Sequence, residues 1–158
     1  MADDTPKSCT GSSLPFYRLS LEKQKCLRKT GDVLRTPKDV AAFIQRHFGC
    51  QPVEHFIVLS CNSRSEVIGV HQVSVGGIGA APVDPKVVFS QALLVGATSI
   101  ILVHNHPSGD PEPSTDDVRL TQQIALAGGY LTIRVLDHIV IGRSGQHVSF
   151  QERGMMPR

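Results

Sequence analysis

The sequence predicts an α/β fold, a three-layer-like sandwich in which helices flank a mixed central sheet. The predicted elements run helix, two strands, helix, strand, helix and further strands, an order typical of this class. Residues 99–103 form a short, largely apolar run, which predicts a central strand buried on both faces. The 158 residues contain no internal repeat and are 41% hydrophobic and 19% charged, so a single soluble globular domain is expected.

The first third of the chain is predicted to divide into three parts. Residues 1–17 are small and polar, which predicts a mobile arm, and residues 18–35 are expected to form a short helical lead-in. The domain itself is predicted over residues 36–154, and it opens with a helix capped by Thr36. Apolar residues recur at helical spacing after this cap, and Gly49 is expected to end the helix.

The middle of the chain changes to strand periodicity and then returns to helical periodicity. Residues 55–61 and 67–75 predict two strands joined by a short turn. The glycine-rich segment 76–79 breaks this pattern. Because no Gly-Lys-Ser/Thr follows it, a mobile loop is favoured over a phosphate loop. Residues 85–95 then predict a helix.

The last third of the chain is predicted to contain one helix among short strands. The strand over 99–103 leads into a proline-rich ordered turn over 105–114. A helix follows over 115–126, and the glycine pair at 128–129 is expected to end it. Three short strands complete the sheet, over residues 130–136, 138–141 and 147–150.

Composition excludes several classes of protein. No segment approaches the ~18 consecutive apolar residues of a membrane span. The N-terminus lacks the basic-then-apolar plan of a secretion signal, so a cytoplasmic protein without membrane contact is expected. The four cysteines are scattered without a C-x-x-C pair, which favours free thiols over disulfides or a cysteine-type zinc site.

A small basic cluster bears on nucleic-acid binding. Lys23, Lys25, Arg28 and Lys29 could contact phosphates. A short run of charges is more often a solvated helix face, however. Weak nucleic-acid binding is therefore the most that this cluster predicts.

The segment from His104 to Asp117 carries the chemistry of the sequence. His104 and His106 lie two residues apart where the predicted central strand ends, so both imidazoles can face one metal ion at ~2.0–2.1 Å. The following helix begins at Ser114 and brings two acids, Asp116 and Asp117, into its first turn. Two imidazoles and one carboxylate form a catalytic type of zinc site, which leaves a fourth position for water.

Each of these residues also has an ordinary structural interpretation. Ser114 and Asp117 match a helix capping box, and histidines at strand ends are often only polar edge residues. Helical periodicity does not choose between Asp116 and Asp117, because the two flank the inward face at similar angles. A structural role is favoured for His138, since lone histidines are often satisfied locally.

The spacing H-x-H-x7-S-x2-D from His104 to Asp117 resembles the JAMM (MPN+) metalloprotease motif. Within that group the sequence resembles the RadC family over residues 36–154. The resemblance is carried by His-Asn-His-Pro-Ser-Gly-Asp-Pro at 104–111, Leu-Asp-His-Ile-Val-Ile-Gly at 136–142, the Ser74-x-Gly76 and Val83-x-Pro85 signatures, and the ending Val148 to Gly154.

The resemblance implies a zinc-dependent hydrolase with a fold like that of the cytidine deaminases. By carry-over, the metal ligands are His104, His106 and Asp117. Glu54 matches the general base that precedes the first core strand in JAMM enzymes, although nothing in the local sequence distinguishes it from other acids. Ser114 would help to stabilise the oxyanion of the tetrahedral intermediate.

Three functions compete at this point. The leading hypothesis is a metallopeptidase-like hydrolase that cleaves an amide or isopeptide bond in a peptide substrate of unknown identity. A nucleobase deaminase would need H-x-E and P-C-x-x-C, and the sequence has neither. The alternative is a non-catalytic zinc-bearing scaffold or DNA-repair-associated module. Longer RadC relatives carry a DNA-contacting helix-hairpin-helix region, which this chain starts too late to contain, so a DNA role is expected to be minor.

Overall fold

The computed structural model describes residues 34–49, 51–76 and 83–157. The predicted arm, nearly all of the helical lead-in with its basic cluster, and the glycines at 77–79 lie outside these residues. The helices are α1 (Pro37–Phe48), α2 (Pro85–Leu94) and α3 (Thr115–Leu131), and the strands are β1 (His55–Cys61), β2 (Val67–Val75), β3 (Ser99–Asn105), β4 (Arg134–Ile141) and β5 (His147–Ser149).

The five strands form one mixed sheet in the order β2-β1-β3-β4-β5. Strand β3 lies at the centre, antiparallel to β1 and parallel to β4. Helix α1 packs on one face of the sheet, while α2 and α3 pack on the other. The predicted α/β sandwich with a mixed sheet is therefore confirmed.

Alternation along the strands divides the core into two apolar layers. On β3, Ile100 and Leu102 point toward α2 and α3, whereas Val103 points toward α1. All three side chains are fully buried, as a central strand covered on both faces requires. Because His104 follows the alternation of Leu102, its side chain lies on the α3 face, and the fold thereby directs it toward the first turn of that helix.

The predicted first helix is confirmed together with its boundaries. The Thr36 side chain accepts a hydrogen bond from the backbone N–H of Asp39, and the Asp39 side chain accepts one from the N–H of Thr36. Gly49 ends the helix with a φ of 70°, a conformation that glycine adopts without strain. The bounds predicted for β1 and β2 also match the structure.

Two predictions in the last third of the chain are wrong. Helix α3 continues through the glycine pair and ends at Leu131, with Thr132 as its left-handed cap. Residues 130–136 therefore do not begin a strand; instead, one continuous strand, β4, covers 134–141. Among the described helices, none has both the length and the apolar content needed to cross a bilayer.

Candidate metal centre

Two histidines lie at the end of β3 with their ring nitrogens close together. His104 is only 1% exposed and stacks against Phe56. The Nε2 atoms of His104 and His106 are 3.0 Å apart. The i and i+2 spacing on an extended chain thus brings the two imidazoles to one point, as the sequence predicts.

The N-terminus of α3 adds a carboxylate to this point. Asp117 is fully buried, and its Oδ1 lies 3.2 Å from Nε2 of His104. Its Oδ2 lies 3.5 Å from Nε2 of His106. Asp116, by contrast, points away from the site: its side chain is 72% exposed and pairs with Arg119 at 3.3 Å. The structure therefore brings Asp117, and not Asp116, to the two histidines.

The capping box of α3 uses only one side of the Asp117 carboxylate. Oδ2 accepts hydrogen bonds from the backbone N–H of Ser114 at 2.7 Å and from its hydroxyl at 2.6 Å. Oδ1 is buried and has no hydrogen-bond donor. Cap and metal ligand are thus compatible roles for one carboxylate, because each uses a different oxygen.

Both histidines also make a contact through Nδ1, and for His106 this contact fixes the tautomer of the neutral ring. Nδ1 of His106 lies 2.8 Å from the carbonyl oxygen of Asp110, which can only accept, so Nδ1 carries the hydrogen and Nε2 does not in the neutral ring. Nδ1 of His104 lies 2.8 Å from Nε2 of His138.

The distances from Nε2 of His104 to the other two side chains suit a small cation. Ligands at about 2.0–2.1 Å in a tetrahedral arrangement lie about 3.3–3.4 Å from one another. The observed separations of 3.0 Å between the histidine nitrogens and 3.2 Å from His104 to Oδ1 of Asp117 are close to this value. Two imidazole nitrogens and a buried carboxylate oxygen are ligand types that suit a metal ion such as zinc.

Electrostatic interactions within the cluster keep the Asp117 carboxylate ionised. Burial alone would raise the pKa of Asp117, but His104 and His106 outweigh burial and hold that pKa well below its usual range. Asp117 in turn raises the pKa of His106, although partial burial opposes this. The carboxylate is therefore ionised at neutral pH, as a metal ligand must be.

Glu54 approaches the cluster from the segment before β1. Its Oε1 lies 4.0 Å from Nε2 of His106. Glu54, His104 and His106 form a group that could hold a metal ion, with candidate ligand atoms within 4.8 Å of one another. Glu54 is thus farther from Nε2 of His106 than Asp117 is, and it is close enough to the two histidines to belong to the same candidate site.

Asn105, between the two histidines in sequence, holds the backbone around Glu54. Its Oδ1 accepts a hydrogen bond from the N–H of His55 at 2.8 Å, and its Nδ2 donates one to the carbonyl of Val53 at 3.1 Å. The Glu54 residue is therefore clamped on both sides to the strand that carries His104. No role was predicted for Asn105, because these contacts join residues about 50 positions apart in the sequence.

His138 and Thr121 form a buried layer behind His104. His138 is fully buried, and burial lowers its pKa well below the usual value. Its Nδ1 lies 2.6 Å from Oγ1 of Thr121, one helical turn after Asp117. No sequence pattern points to Thr121, because this contact joins residues from two separate elements.

Comparison with known proteins gives a family for the chain. A family model described as the RadC-like JAB domain matches residues 34–155. The chain belongs to this family. It is 37% identical over 145 residues to a UPF0758 protein of Desulfitobacterium hafniense, an alignment covering 92% of this chain and 62% of that protein.

Other members of the family are similar to the chain at comparable identity. A UPF0758 protein of Halalkalibacterium halodurans is 39% identical, over 79% of this chain and 53% of its own length. One of Caldanaerobacter subterraneus is 41% identical, over 75% of this chain and 51% of its own length. The chain therefore spans about half to three-fifths of the length of these relatives. Membership of the family is compatible with a metal-dependent hydrolase and with a DNA-repair-associated role.

Proposed function

We propose that the chain is a zinc-dependent hydrolase that cleaves an amide or isopeptide bond. The observation that carries this proposal is the buried, donor-free Oδ1 of Asp117 beside the Nε2 atoms of His104 and His106. Two imidazoles and one carboxylate are the protein ligands of hydrolytic zinc sites. A bound zinc ion would supply Lewis acidity, which lowers the pKa of water toward ~7 and polarises a carbonyl.

Glu54 is the residue best placed to move a proton. Its carboxylate lies at the edge of the cluster and is only partly buried, so it can contact both solvent and a bound substrate. In the proposed reaction it accepts a proton from the attacking water and donates it to the leaving amine. The Asn105 clamp holds the Glu54 backbone while this transfer occurs.

Ser114 is proposed to act mainly through Asp117. Its hydroxyl donates to Oδ2 of Asp117 and accepts from the backbone N–H of the same residue. We propose that Ser114 first orients the ligand carboxylate. Donation to an oxyanion would require the hydroxyl to rotate away from Asp117.

Substrate and partners follow from the same proposal. A peptide or isopeptide-linked protein is the proposed substrate. Contact with duplex DNA is proposed to be weak and salt-dependent, because it rests on the basic cluster at residues 23–29. A nonspecific phosphate contact of this kind would not replace hydrolysis as the function of the domain.

The Glu54→Gln variant tests the proposed function. An amide keeps the size of the side chain but cannot accept the proton, so the hydrolysis rate should fall by ~10²–10⁴-fold. Zinc content should be unchanged, because Glu54 is not a proposed ligand. The measurements are zinc per chain and cleavage of a peptide or isopeptide-linked substrate that the wild type turns over.

Glu66→Gln is the matched control for this experiment. Glu66 hydrogen-bonds to Asn62 and Arg64 near the turn between β1 and β2, and its loss should leave the rate unchanged. Full activity in Glu54→Gln would exclude Glu54 as the base. Loss of zinc together with activity would instead make Glu54 a ligand and overturn the proposed division of roles.

A further inference from the structure

We propose that Thr121 and His138 are positioning residues that fix the tautomer of His104 and so keep its Nε2 free to bind the metal. The inference rests on the proposed metal site, but it concerns residues to which the family motif gives no role. It follows from the direction of three buried hydrogen bonds, which can be deduced one after another from the atoms involved.

The directions of the first two hydrogen bonds are set at the Thr121 hydroxyl. Its Oγ1 lies 2.6 Å from the carbonyl oxygen of Asp117 and 2.6 Å from Nδ1 of His138. Each contact is short enough to require a hydrogen between the two heavy atoms. The carbonyl has no hydrogen and the hydroxyl has only one, which it donates to that carbonyl. The second hydrogen must therefore come from His138, so Nδ1 of His138 is the protonated nitrogen.

The direction of the third hydrogen bond follows at the other side of the His138 ring. The ring packs between Phe56 and Phe150 and is fully buried, surroundings that favour the neutral form. A neutral ring that carries its hydrogen on Nδ1 has an unprotonated Nε2. The 2.8 Å contact with Nδ1 of His104 therefore takes its hydrogen from His104.

The tautomer of His104, the proposed metal ligand, follows from these three hydrogen bonds. With its hydrogen on Nδ1, neutral His104 presents the lone pair of Nε2 to Oδ1 of Asp117 and to Nε2 of His106. For His106 a backbone carbonyl fixes the same tautomer directly. For His104 the tautomer depends on the side chains of His138 and Thr121, so substitution of these residues can change it.

The chain of hydrogen bonds returns to the site from which it starts. It runs from His104 through His138 and Thr121 to the backbone of Asp117, so it links two proposed ligands through buried side chains. Helix α3 supplies both Asp117 and Thr121, one turn apart and both buried. A tilt of this helix would therefore disturb the carboxylate ligand and the tautomer of His104 together.

Thr121→Val and Thr121→Ser separate the hydroxyl from the packing of the side chain. Valine keeps the shape but cannot accept from His138, so His138 can place its hydrogen on Nε2 and displace that of His104. We expect zinc affinity to fall by about 10–100-fold in Thr121→Val, the usual effect of losing a partner of a ligating histidine. Thr121→Ser keeps the hydroxyl and should bind zinc like the wild type.

The experiment combines two measurements on the full chain. Zinc affinity is measured by competition with a chelating dye, and the imidazole tautomers are read from ¹⁵N NMR of the zinc-free protein. The expected spectrum has hydrogen on Nδ1 of His104 and His138 in wild type and Thr121→Ser, with a shift toward Nε2 of His104 in Thr121→Val. The wild-type spectrum tests the proposal even if Thr121→Val fails to fold.

Equal zinc affinity in Thr121→Val and wild type would overturn the proposal, and so would a wild-type His104 with its hydrogen on Nε2. An equal loss of affinity in Thr121→Val and Thr121→Ser would also overturn it, because packing would then explain the effect. If the wild type bound no zinc, the proposed function would fail. The tautomers of His104 and His138 would still test the proposed hydrogen-bond directions.

Discussion

At the scale of single residues, the two carboxylate oxygens of Asp117 have different surroundings. Periodicity assigns a residue to a face of a helix, but it does not describe a side chain that turns back along the helix axis. Asp117 turns back to cap Ser114, and this contact leaves Oδ1 facing the histidines. The motif resemblance selected Asp117; the arrangement of its two oxygens required the structure.

Asp117→Asn should weaken zinc binding, whereas Asp116→Asn should not. An amide offers one oxygen, and if this oxygen stays at the cap, an NH₂ group replaces the acceptor beside His104. Loss of a direct ligand should lower the zinc affinity by more than the about 10–100-fold expected from the loss of a hydrogen-bond partner behind a ligand. Zinc content after dialysis against a weak chelator measures the effect. Retention of zinc by Asp117→Asn, with loss in Asp116→Asn, would contradict the assignment.

At the scale of elements, α3 shows how a packing requirement can override a local stop signal. Gly128 and Gly129 predict a helix end, yet the helix continues for two residues beyond them. A Cβ at Gly128 would lie 2.4 Å from the carbonyl oxygen of Ile133, so the glycine allows the chain to fold back closely against its own helix. No local sequence rule separates a glycine of this kind from a glycine that ends a helix.

Alanine substitutions at the two glycines should have opposite effects on stability. Gly128→Ala forces a methyl group against backbone and Phe89, and it should lower the free energy of unfolding by about 1–3 kcal/mol. Gly129→Ala meets no atom within 4 Å and should raise that free energy by about 0.4–1 kcal/mol. Urea unfolding of both variants measures the difference. Equal effects at the two positions would show that the close approach to Ile133 is unimportant.

At the scale of the whole molecule, the apolar runs were sufficient to predict the layers but not the continuity of the sheet. The buried run on β3 places this strand at the centre, and the helical periodicities place helices around it. The predicted strands over residues 130–136 and 138–141 leave Asp137 between them. The structure keeps β4 continuous through Asp137 by satisfying its carboxylate from elsewhere in the chain.

Asp137 is a buried junction between β4, β5 and the C-terminal segment. Its Oδ2 accepts from the hydroxyl of Ser149 at 2.6 Å. Its Oδ1 accepts from the backbone N–H groups of His138 at 2.7 Å and Gln151 at 2.9 Å. These donors lie up to 14 residues away in sequence, so only the assembled sheet explains why a carboxylate is tolerated in the strand.

The pH dependence of stability should reveal this junction. Burial raises the pKa of Asp137, and although hydrogen bonds from Ser149, Gln151 and His138 oppose burial, the pKa remains above its ordinary value. The folded state therefore binds this proton more tightly than the unfolded chain does. The resulting stabilisation is complete below the unfolded pKa of about 3.9 and is lost as pH rises through the folded pKa.

Asp137→Asn should remove this part of the pH dependence. Its oxygen can still accept the two backbone N–H groups, and its NH₂ can donate to Ser149, so the fold should survive. From about pH 4 to pH 7, wild type should lose stability relative to Asp137→Asn, because only wild type gains a buried charge. Urea unfolding at several pH values, with metal chelated throughout, measures this difference. The exposed Asp116→Asn controls for the change in net charge, and its stability should follow that of wild type. Parallel curves for wild type and Asp137→Asn would contradict the prediction, because Asp137 would then bind its proton equally in the folded and unfolded states.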